Sequence, residues 1–216
     1  MTPAGQLLVI AKAPVPGLVK TRLCPPCTPT QAAELAAAAL ADTLATVAAT
    51  PARGRTLVLA GALASIPPRF DVVAQHGDLL GERLCAAYAD TARPGLASFL
   101  IGMDTPQVSS GLLSLALRAL DTADAVLGLA ADGGWWGLGL RDPRHAEVLA
   151  DVPTSTATTG ARTLAALTNR GLDVMALPVL RDVDTMADAE AVAHEAPDSR
   201  FALVLAAVSA AAGVNA

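Results

Sequence analysis

The pattern of apolar and polar residues alternates between short apolar runs and longer stretches rich in alanine. Short apolar runs bounded by glycine and proline are typical of buried strands, whereas apolar residues at helical spacing behind a capping residue indicate helices. The pattern predicts strands at residues 6–11, 56–60, 70–74, 97–101, 125–129, 135–140 and 174–179. It predicts helices at residues 31–49, 81–92, 159–170 and 185–195, and a further helix that starts at Thr105-Pro106.

Strands that alternate with helices form βαβ units, which build a mainly parallel sheet with helices on its faces. We therefore predict an α/β fold. Thr30 is the predicted N-cap of the first long helix, and Thr105 with Pro106 has the threonine and proline typical of a helix start. Because no linker, internal repeat or low-complexity segment divides the chain, we predict one domain over residues 1–216.

Composition and charge narrow the set of partners. Hydrophobic residues make up 53% of the chain, enough for a large core, and the net charge of −5 argues against a nucleic-acid partner. No basic segment precedes the apolar run at residues 7–10, so we expect no signal peptide, and the apolar residues 201–212 are too few to span a bilayer. These features predict a cytoplasmic protein without a membrane span. A homodimer is left open.

The loop after the first strand carries three cations. Lys12 and Lys20 are the only lysines of the chain, and Arg22 follows closely. A compact ammonium suits phosphate oxygens as a point charge, and a guanidinium adds bidentate contact. The carboxyl end of a strand is where open α/β sheets bind ligands. We therefore interpret residues 12–22 as a phosphate-binding loop, although it lacks the glycines of a Walker A motif and of G-x-G-x-x-G.

Two acidic segments follow later strands. Asp104 comes directly after the fourth strand, where a carboxylate facing the phosphate loop would suit Mg²⁺ or Mn²⁺. A carboxylate that stabilises a helix dipole explains Asp104 equally well. In the second segment, Thr185 and Asp188 resemble a capping box, which leaves Asp182 and Asp184 without a structural task. Either could be a second metal ligand.

The middle of the chain contributes three further candidates. Residues 132–137 hold both tryptophans behind two glycines, and adjacent strand residues face opposite sides, so one tryptophan should enter the core and the other a surface or cleft. Arg83, one turn into a helix, could reach the same crevice, although a plain surface position is equally consistent. The Cys24–Cys27 pair lies in a proline-rich loop without a second pair of ligands, so we treat these cysteines as incidental.

Taken together, the motifs resemble the bacterial DUF2064 family, described as GT-A-like glycosyltransferases related to 2-phospho-L-lactate guanylyltransferase. The matching segments occur in family order over most of the chain. They are Lys12-x-Pro14-x-x-Gly17-x-x-Lys20-Thr21-Arg22-Leu23, Gly77-Asp78-Leu79 with Gly81-Glu82-Arg83, Gly102-Met103-Asp104-Thr105-Pro106, Asp132-Gly133-Gly134 and Asp182-Val183-Asp184-Thr185.

The resemblance implies a Rossmann-like nucleotide-diphospho-sugar transferase (GT-A) fold with a mainly parallel, mixed sheet, and it implies roles for single residues. The implied phosphate-binding residues are Lys12, Gly17, Lys20, Arg22 and Arg83. The implied metal ligands are Asp104, Asp184 and Asp182, with Asp104 and Lys20 as catalytic residues. The implied acceptor-binding residues are Asp132, Gly133, Gly134 and Trp135.

Three functions are consistent with this resemblance. The leading one is a metal-dependent glycosyltransferase that uses a nucleoside diphosphate sugar, with Mg²⁺ or Mn²⁺ as cofactor and a small-molecule acceptor. The second is a nucleotidyltransferase that acts on a nucleoside triphosphate and a phosphorylated acceptor. Sugar-nucleotide pyrophosphorylases carry a Gly-x-Gly-x-Arg loop after strand one, and this loop has one glycine and two prolines. The third is a nucleotide-binding module without catalysis.

Overall fold

The computed structural model describes residues 5–211. Its strands are β1 (Gly5–Lys12), β2 (Gly54–Ala60), β3 (Asp71–Ala74), β4 (Ala97–Ile101), β5 (Ala125–Ala130), β6 (Trp135–Leu140) and β7 (Val174–Leu180). Its α-helices are α1 (Pro29–Ala49), α2 (Leu80–Thr91), α3 (Ser110–Ala119), α4 (Thr159–Asn169), α5 (Met186–Glu195) and α6 (Arg200–Ala211). Two 3₁₀ helices span Thr21–Leu23 and Pro143–Asp151.

All seven of these strands form one sheet in the order β3-β2-β1-β4-β6-β5-β7. β1 pairs in parallel with β2 and β4, β2 with β3, and β5 with β7, whereas β6 runs antiparallel to both of its neighbours. The predicted α/β fold with a mainly parallel, mixed sheet is therefore confirmed. Because only β6 is reversed, the carboxyl ends of β1, β4, β5 and β7 lie at the same edge of the sheet.

The core lies on both faces of this sheet because successive strand residues point to opposite sides. Leu7 and Val9 of β1 pack with α1 and α3, whereas Leu8 packs with Tyr88 of α2 on the other face. A third apolar cluster joins α1 to α5 and α6. Its largest fully buried members are Leu23, Leu35 and Phe201. The prediction of one domain stays a prediction, and the first four and last five residues of the predicted range lie outside the described residues.

Two predicted helix starts were wrong by several residues. α1 is capped by Thr28 rather than Thr30, since Thr28 Oγ1 accepts from the Gln31 amide at 3.2 Å while the Gln31 side chain accepts from the Thr28 amide at 2.8 Å. Pro29 then takes the first helical position, where its missing N–H costs nothing. The helix predicted at Thr105 begins at Ser110 and is capped by Ser109. Both 3₁₀ helices and α6 were absent from the predicted elements.

α1 is long and apolar enough to cross a membrane by length and composition. More than half of its most apolar window (56%) is buried inside the molecule, against the sheet and α6. That burial is what the core helix of a globular protein shows.

Candidate functional site

A cleft of about 930 Å³ lies at the edge of the sheet where the carboxyl ends of β1 and β4 meet the β5–β6 turn and the segment after β7. This volume is in the range of small-molecule sites. The lining includes Lys12, Lys20, Arg22, Arg83, Asp104, Asp132, Gly134, Trp135, Asp182 and Asp184. The cleft wall of the described chain does not include Gly17 or Gly133, which instead shape turns with φ of +79° and +90°.

Lys20 ties three loops together beneath this cleft. Its side chain is only 9% exposed, and its Nζ lies 2.6 Å from Asp104 Oδ1 and 3.5 Å from Asp184 Oδ1. The same ammonium donates to the Val183 carbonyl oxygen, and the Val183 amide donates to the Asp104 carbonyl oxygen at 2.9 Å. Lys20 holds φ of +48°, a left-handed conformation that is uncommon for residues other than glycine. The fixed ammonium therefore joins the β1 loop to the loops after β4 and β7.

The charge on Lys20 is stabilised by its neighbours. Burial alone would lower the pKa of this ammonium, but the charge and hydrogen bond of Asp104, with the charges of Asp184 and Asp182, outweigh burial and raise the pKa above its ordinary value. Lys20 is thus a cation throughout the neutral range. Its predicted contact with phosphate stays a prediction, because two of its three donors already serve Asp104 and Val183.

Three carboxylates lie close together beside Lys20. We call them the acidic group: Asp132, Asp182 and Asp184. Their ligand oxygens all lie within 4.8 Å of one another. Arg22 Nη1 donates to Asp184 Oδ2 at 2.9 Å, and the Asp132 Oδ1 atom accepts from the Gly134 amide at 2.7 Å. Oxygen donors at this spacing are the ligands that Mg²⁺ and Mn²⁺ prefer. The chemistry of the donor set therefore fits a hard divalent cation.

The membership of the acidic group differs in part from the predicted ligands. Asp182 and Asp184 were predicted as metal ligands and lie together. Asp132 was predicted on the acceptor side, and the β5–β6 turn brings it against them. Asp104 lines the same cleft but is paired with Lys20 and is not a member of the group. Its predicted metal role stays a prediction.

The Asp182 carboxyl is partly buried and lies among like charges. Burial raises the pKa of this carboxyl first, and the charges of Asp132 and Asp184 raise it further, so that it reaches about 6 from an ordinary value of 3.8. Lys20 opposes the shift. The acidic group thus carries more negative charge than the protein itself neutralises, which is the condition that a bound cation relieves.

Replacing Asp182 by asparagine is expected to raise the Tm of the metal-free protein by a few degrees at about pH 8 and by much less at about pH 4. A carboxyl whose folded pKa is raised contributes stability that is fully present below its unfolded pKa and is lost as the pH rises through the folded pKa near 6. Asparagine has no charge to desolvate, so the benefit appears only above that window. Thermal unfolding in the presence of EDTA measures the difference.

Asp121→Asn is the matched control, because Asp121 is an exposed aspartate at the end of α3. Its Tm should follow the wild type at both pH values. A Tm difference for Asp182→Asn that does not change between about pH 4 and about pH 8 would contradict this account of Asp182.

The cationic side chains at the cleft differ in how many contacts they already make with the rest of the protein. Lys12 is exposed and, within residues 5–211, its side chain has neither a hydrogen bond nor an ion pair. The Arg83 Nε donates to the Gly77 carbonyl oxygen at 2.9 Å, and this contact holds the loop before α2. Arg22 is 71% exposed beyond its contact with Asp184. Lys12 is therefore the cation most available to a ligand, with Arg22 beside it.

The prediction for the two tryptophans is confirmed. Trp136 is 3% exposed, packs on Phe99 with ring centroids 5.8 Å apart, and donates Nε1 to the Pro178 carbonyl oxygen at 3.0 Å. Trp135 faces the other way, is half-buried and lines the cleft. The pleat of β6 thus puts one indole in the core and one at the site.

A hydroxyl-rich segment at residues 154–159 also lines the cleft, and the sequence reasoning did not assign it to the site. It is held there by the β5–β6 turn: the Gly160 amide donates to the Gly133 carbonyl oxygen at 2.8 Å, and a Cβ on Gly133 would lie 2.0 Å from the Ala157 carbonyl oxygen. A run of threonine and serine before a helix was the only signal in the sequence, and that signal is ordinary for a helix start.

Comparison with known proteins places the chain among nucleotide-related transferases by fold. The family model described as "Uncharacterized protein conserved in bacteria (DUF2064)" matches residues 32–156, more than half of the chain. Among proteins of curated function, none is significantly similar in sequence to this chain.

Solved structures are similar over nearly the whole chain. A protein of Desulfovibrio desulfuricans G20, provisionally assigned as a nucleotide-diphospho-sugar transferase, is 27% identical with a TM-score of 0.86, covering 97% of this chain and 96% of that one. Rv0371c of Mycobacterium tuberculosis H37Rv, in complex with manganese, is 22% identical with a TM-score of 0.52, covering 87% and 97%. The 4-diphosphocytidyl-2C-methyl-D-erythritol synthase of Anaerococcus prevotii DSM 20548 is 12% identical with a TM-score of 0.55, covering 95% and 97%. The last two likenesses concern the fold alone.

Proposed function

The chain belongs to the DUF2064 family, and we propose that it is a metal-dependent transferase whose donor is a nucleoside diphosphate sugar. The observation that carries the proposal is the cleft itself, in which the free ammonium of Lys12 and the exposed guanidinium of Arg22 share one cavity with the acidic group. A diphosphate bridges such an arrangement, because its oxygens bind cations of the protein and a divalent ion at once.

The acidic group is the proposed metal site. Asp184 is the member of the group that also contacts Arg22, at 2.9 Å, and Lys20, at 3.5 Å. The provisional assignment of the Desulfovibrio neighbour supports the sugar-nucleotide donor, and the manganese bound by Rv0371c makes Mn²⁺ the first ion to test. A bound cation supplies Lewis-acid stabilisation of the leaving diphosphate.

The protein's own residues have separate tasks in this proposal. Lys12 and Arg22 bind phosphate oxygens, and Lys20 positions the loops that carry Asp104 and Asp184. In the transfer, the oxygen of an acceptor hydroxyl forms a bond to the anomeric carbon while the bond from that carbon to the diphosphate oxygen breaks. The bonding electrons leave with the nucleoside diphosphate, and the hydroxyl proton is released to the solvent that fills the open cleft.

Thermal unfolding with a panel of nucleotides tests the proposal. Nucleoside diphosphate sugars are expected to raise the Tm in the presence of Mn²⁺ and to have little effect in EDTA, since a ligand that binds only the native state stabilises it in proportion to its affinity. Slow hydrolysis of the bound donor to free sugar and nucleoside diphosphate should accompany the shift.

The same panel distinguishes the alternatives. A larger shift with a nucleoside triphosphate than with any nucleotide sugar, together with release of pyrophosphate, would favour nucleotidyl transfer. A shift without any turnover would favour a binding module. If no nucleotide changes the Tm in the presence of Mn²⁺ or Mg²⁺, all three readings are wrong.

A further inference from the structure

The cations of the cleft all come from two elements. Lys12, Lys20 and Arg22 belong to the end of β1 and the loop after it, and Arg83 belongs to α2. The β5–β6 turn and the segment that leads into α4 contribute no cation to the cleft lining of the described chain. We call this second surface the acceptor wall: Asp132, Trp135, Thr154, Ser155, Thr156 and Ala157. It carries one negative charge and no positive charge.

The polar groups of the acceptor wall are hydroxyls. Thr156 Oγ1 lies 3.2 Å from the hydroxyls of both Thr158 and Thr159, so it is engaged within the segment. The hydroxyls of Thr154 and Ser155 have no hydrogen-bond partner among residues 5–211, and both residues face the cleft. Two donor–acceptor groups are therefore free to meet hydroxyls of a ligand.

The nearby guanidinium groups and the amides that begin α4 are already engaged within the protein. The Gly160 amide donates to the Gly133 carbonyl oxygen and the Thr159 amide to the Thr156 carbonyl oxygen, so the first turn of α4 directs these N–H groups into the protein. Arg162 donates Nε to Thr158 Oγ1 at 3.2 Å and does not line the cleft. Arg83 is held by the Gly77 and Asp78 carbonyl oxygens.

Trp135 completes the wall with an apolar surface. Its indole is half-buried and packs against the core cluster below the sheet, so one part is fixed by the protein while another faces the cleft. A fixed aromatic surface beside free hydroxyls matches a ligand that has both C–H faces and O–H groups.

We infer that the acceptor of this transferase is a neutral, hydroxyl-bearing molecule such as a sugar or polyol, and not a phosphorylated one. This inference rests on the proposed function, which supplies the donor. A phosphate placed against the hydroxyls of this wall would find no cation of the protein to pair with, and it would forgo the charge-assisted contacts that phosphates normally make with arginine and lysine. A neutral polyol loses nothing there. The charge pattern therefore favours sugar transfer over nucleotidyl transfer to a phosphorylated acceptor.

The experiment compares three probes that share one sugar ring and carry different charges: neutral glucose, anionic glucose 6-phosphate and cationic glucosamine. Each is titrated onto the protein with Mn²⁺ and a saturating amount of the nucleoside diphosphate that gives the largest Tm shift, so that the phosphate-binding residues of the donor site are already filled. Saturation-transfer NMR and quenching of tryptophan fluorescence report binding without turnover. Glucose is expected to bind at least about tenfold more tightly than glucose 6-phosphate.

Two variants connect the preference to the acceptor wall. Trp135→Ala should lose glucose binding, and Ala157→Arg, which adds a cation to the wall, should raise the affinity for glucose 6-phosphate by about tenfold or more. Arg162→Ala is the control for a cation outside the cleft and should leave the order of the three probes unchanged.

Several outcomes would overturn the inference while leaving the proposed donor intact. The first is that the wild type binds glucose 6-phosphate more tightly than glucose, above all if Arg83→Ala abolishes the binding of glucose 6-phosphate. The second is equal binding of these two probes. The third is tighter binding of glucosamine than of glucose, and the fourth is no binding of any probe to the nucleotide-loaded protein. Absence of the nucleotide-induced Tm shift is a different result, because it contradicts the proposed function itself.

Discussion

Replacing Lys20 by methionine is expected to lower the free energy of unfolding by about 2 kcal/mol. Methionine keeps the length and packing of the stem but removes the charge that joins Asp104, Asp184 and the Val183 carbonyl oxygen. Breaking a fully buried pair costs about 3–5 kcal/mol, but the Asp104 side chain is 42% exposed, so water compensates part of the loss. Denaturant unfolding near neutral pH measures the change.

Lys12→Met is the matched control for this prediction. Lys12 ends β1 and Lys20 lies in the loop after it, but the Lys12 side chain is exposed and has no partner in the described chain, so its replacement should change stability by less than about 0.5 kcal/mol. The order should reverse for ligand binding, where Lys12→Met is expected to weaken the nucleotide-induced Tm shift strongly. Equal stability of the two variants would show that the contacts of Lys20 do not hold the loops together.

The contribution of Lys20 to the free energy of unfolding should change with pH in a defined direction. The folded pKa of Lys20 is raised, so its contribution to stability is fully present below its unfolded pKa and is lost only as the pH rises through the higher folded value. The stability difference between Lys20→Met and the wild type should therefore stay constant from about neutral to mildly alkaline pH, where Asp182, whose pKa near 6 Lys20 helps to lower, is ionised. It should then decrease at strongly alkaline pH.

Asp184→Asn is expected to weaken Mn²⁺ binding by more than about 100-fold. Loss of an outer partner of a metal ligand already costs about 10- to 100-fold, and this change removes the charge of the member that the acidic group shares with Arg22. Calorimetric titration with Mn²⁺ alone measures the affinity. Asp121→Asn, which changes an exposed aspartate away from the cleft, should bind as the wild type does.

Two further variants decide between alternative ligand sets. Asp132→Asn should weaken Mn²⁺ binding nearly as much as Asp184→Asn, and Asp104→Asn much less, because Lys20 already neutralises Asp104. A large loss in Asp104→Asn with no loss in Asp132→Asn would instead support the predicted ligand set, in which Asp104 binds the ion together with Asp184 or Asp182.

Much of the sheet could be predicted from the sequence, because buried parallel strands are short apolar runs with clear ends. β4 and β6 have their predicted bounds, and β1 differs by one residue at each end. The Thr185–Asp188 capping box was also confirmed, with the Thr185 amide donating to Asp188 Oδ2 at 2.9 Å. Capping hydrogen bonds and the apolar pattern of a strand depend on residues that are close together in the chain, so they can be predicted from a single sequence.

The site was harder to predict because it depends on contacts between distant segments. From the sequence, Lys12 and Lys20 have the same predicted role. Only the fold shows that the Lys20 side chain is buried in contact with Asp104 and Val183, while the Lys12 side chain is exposed without a partner in the described chain. Asp132 joins the acidic group because the β5–β6 turn bends toward the loop after β7, with the Ala131 amide donating to the Leu180 carbonyl oxygen at 2.9 Å. No local pattern encodes that approach.

The start of a helix was predicted wrongly where two possible N-cap residues lie near each other in the sequence. Thr105-Pro106 has a good local signal but forms only a single turn, in which the Val108 amide donates to the Thr105 carbonyl oxygen at 3.1 Å, and Ser109 then caps α3. Next to this turn, the Val183 amide donates to the Asp104 carbonyl oxygen at 2.9 Å, at a residue that lines the cleft. The same contact places Asp104 against Lys20, so the deviation from the predicted helix belongs to the site.

The central claim is that one cleft binds a divalent cation and a diphosphate side by side. The most direct measurement is phosphorus NMR of a nucleoside diphosphate bound to the protein, titrated with Mn²⁺ in the wild type and in Asp184→Asn. We expect both phosphorus resonances to broaden sharply in the wild type, because the paramagnetic ion lies next to the phosphates, and to broaden far less in the variant. Broadening that is equal in the two proteins would contradict the account.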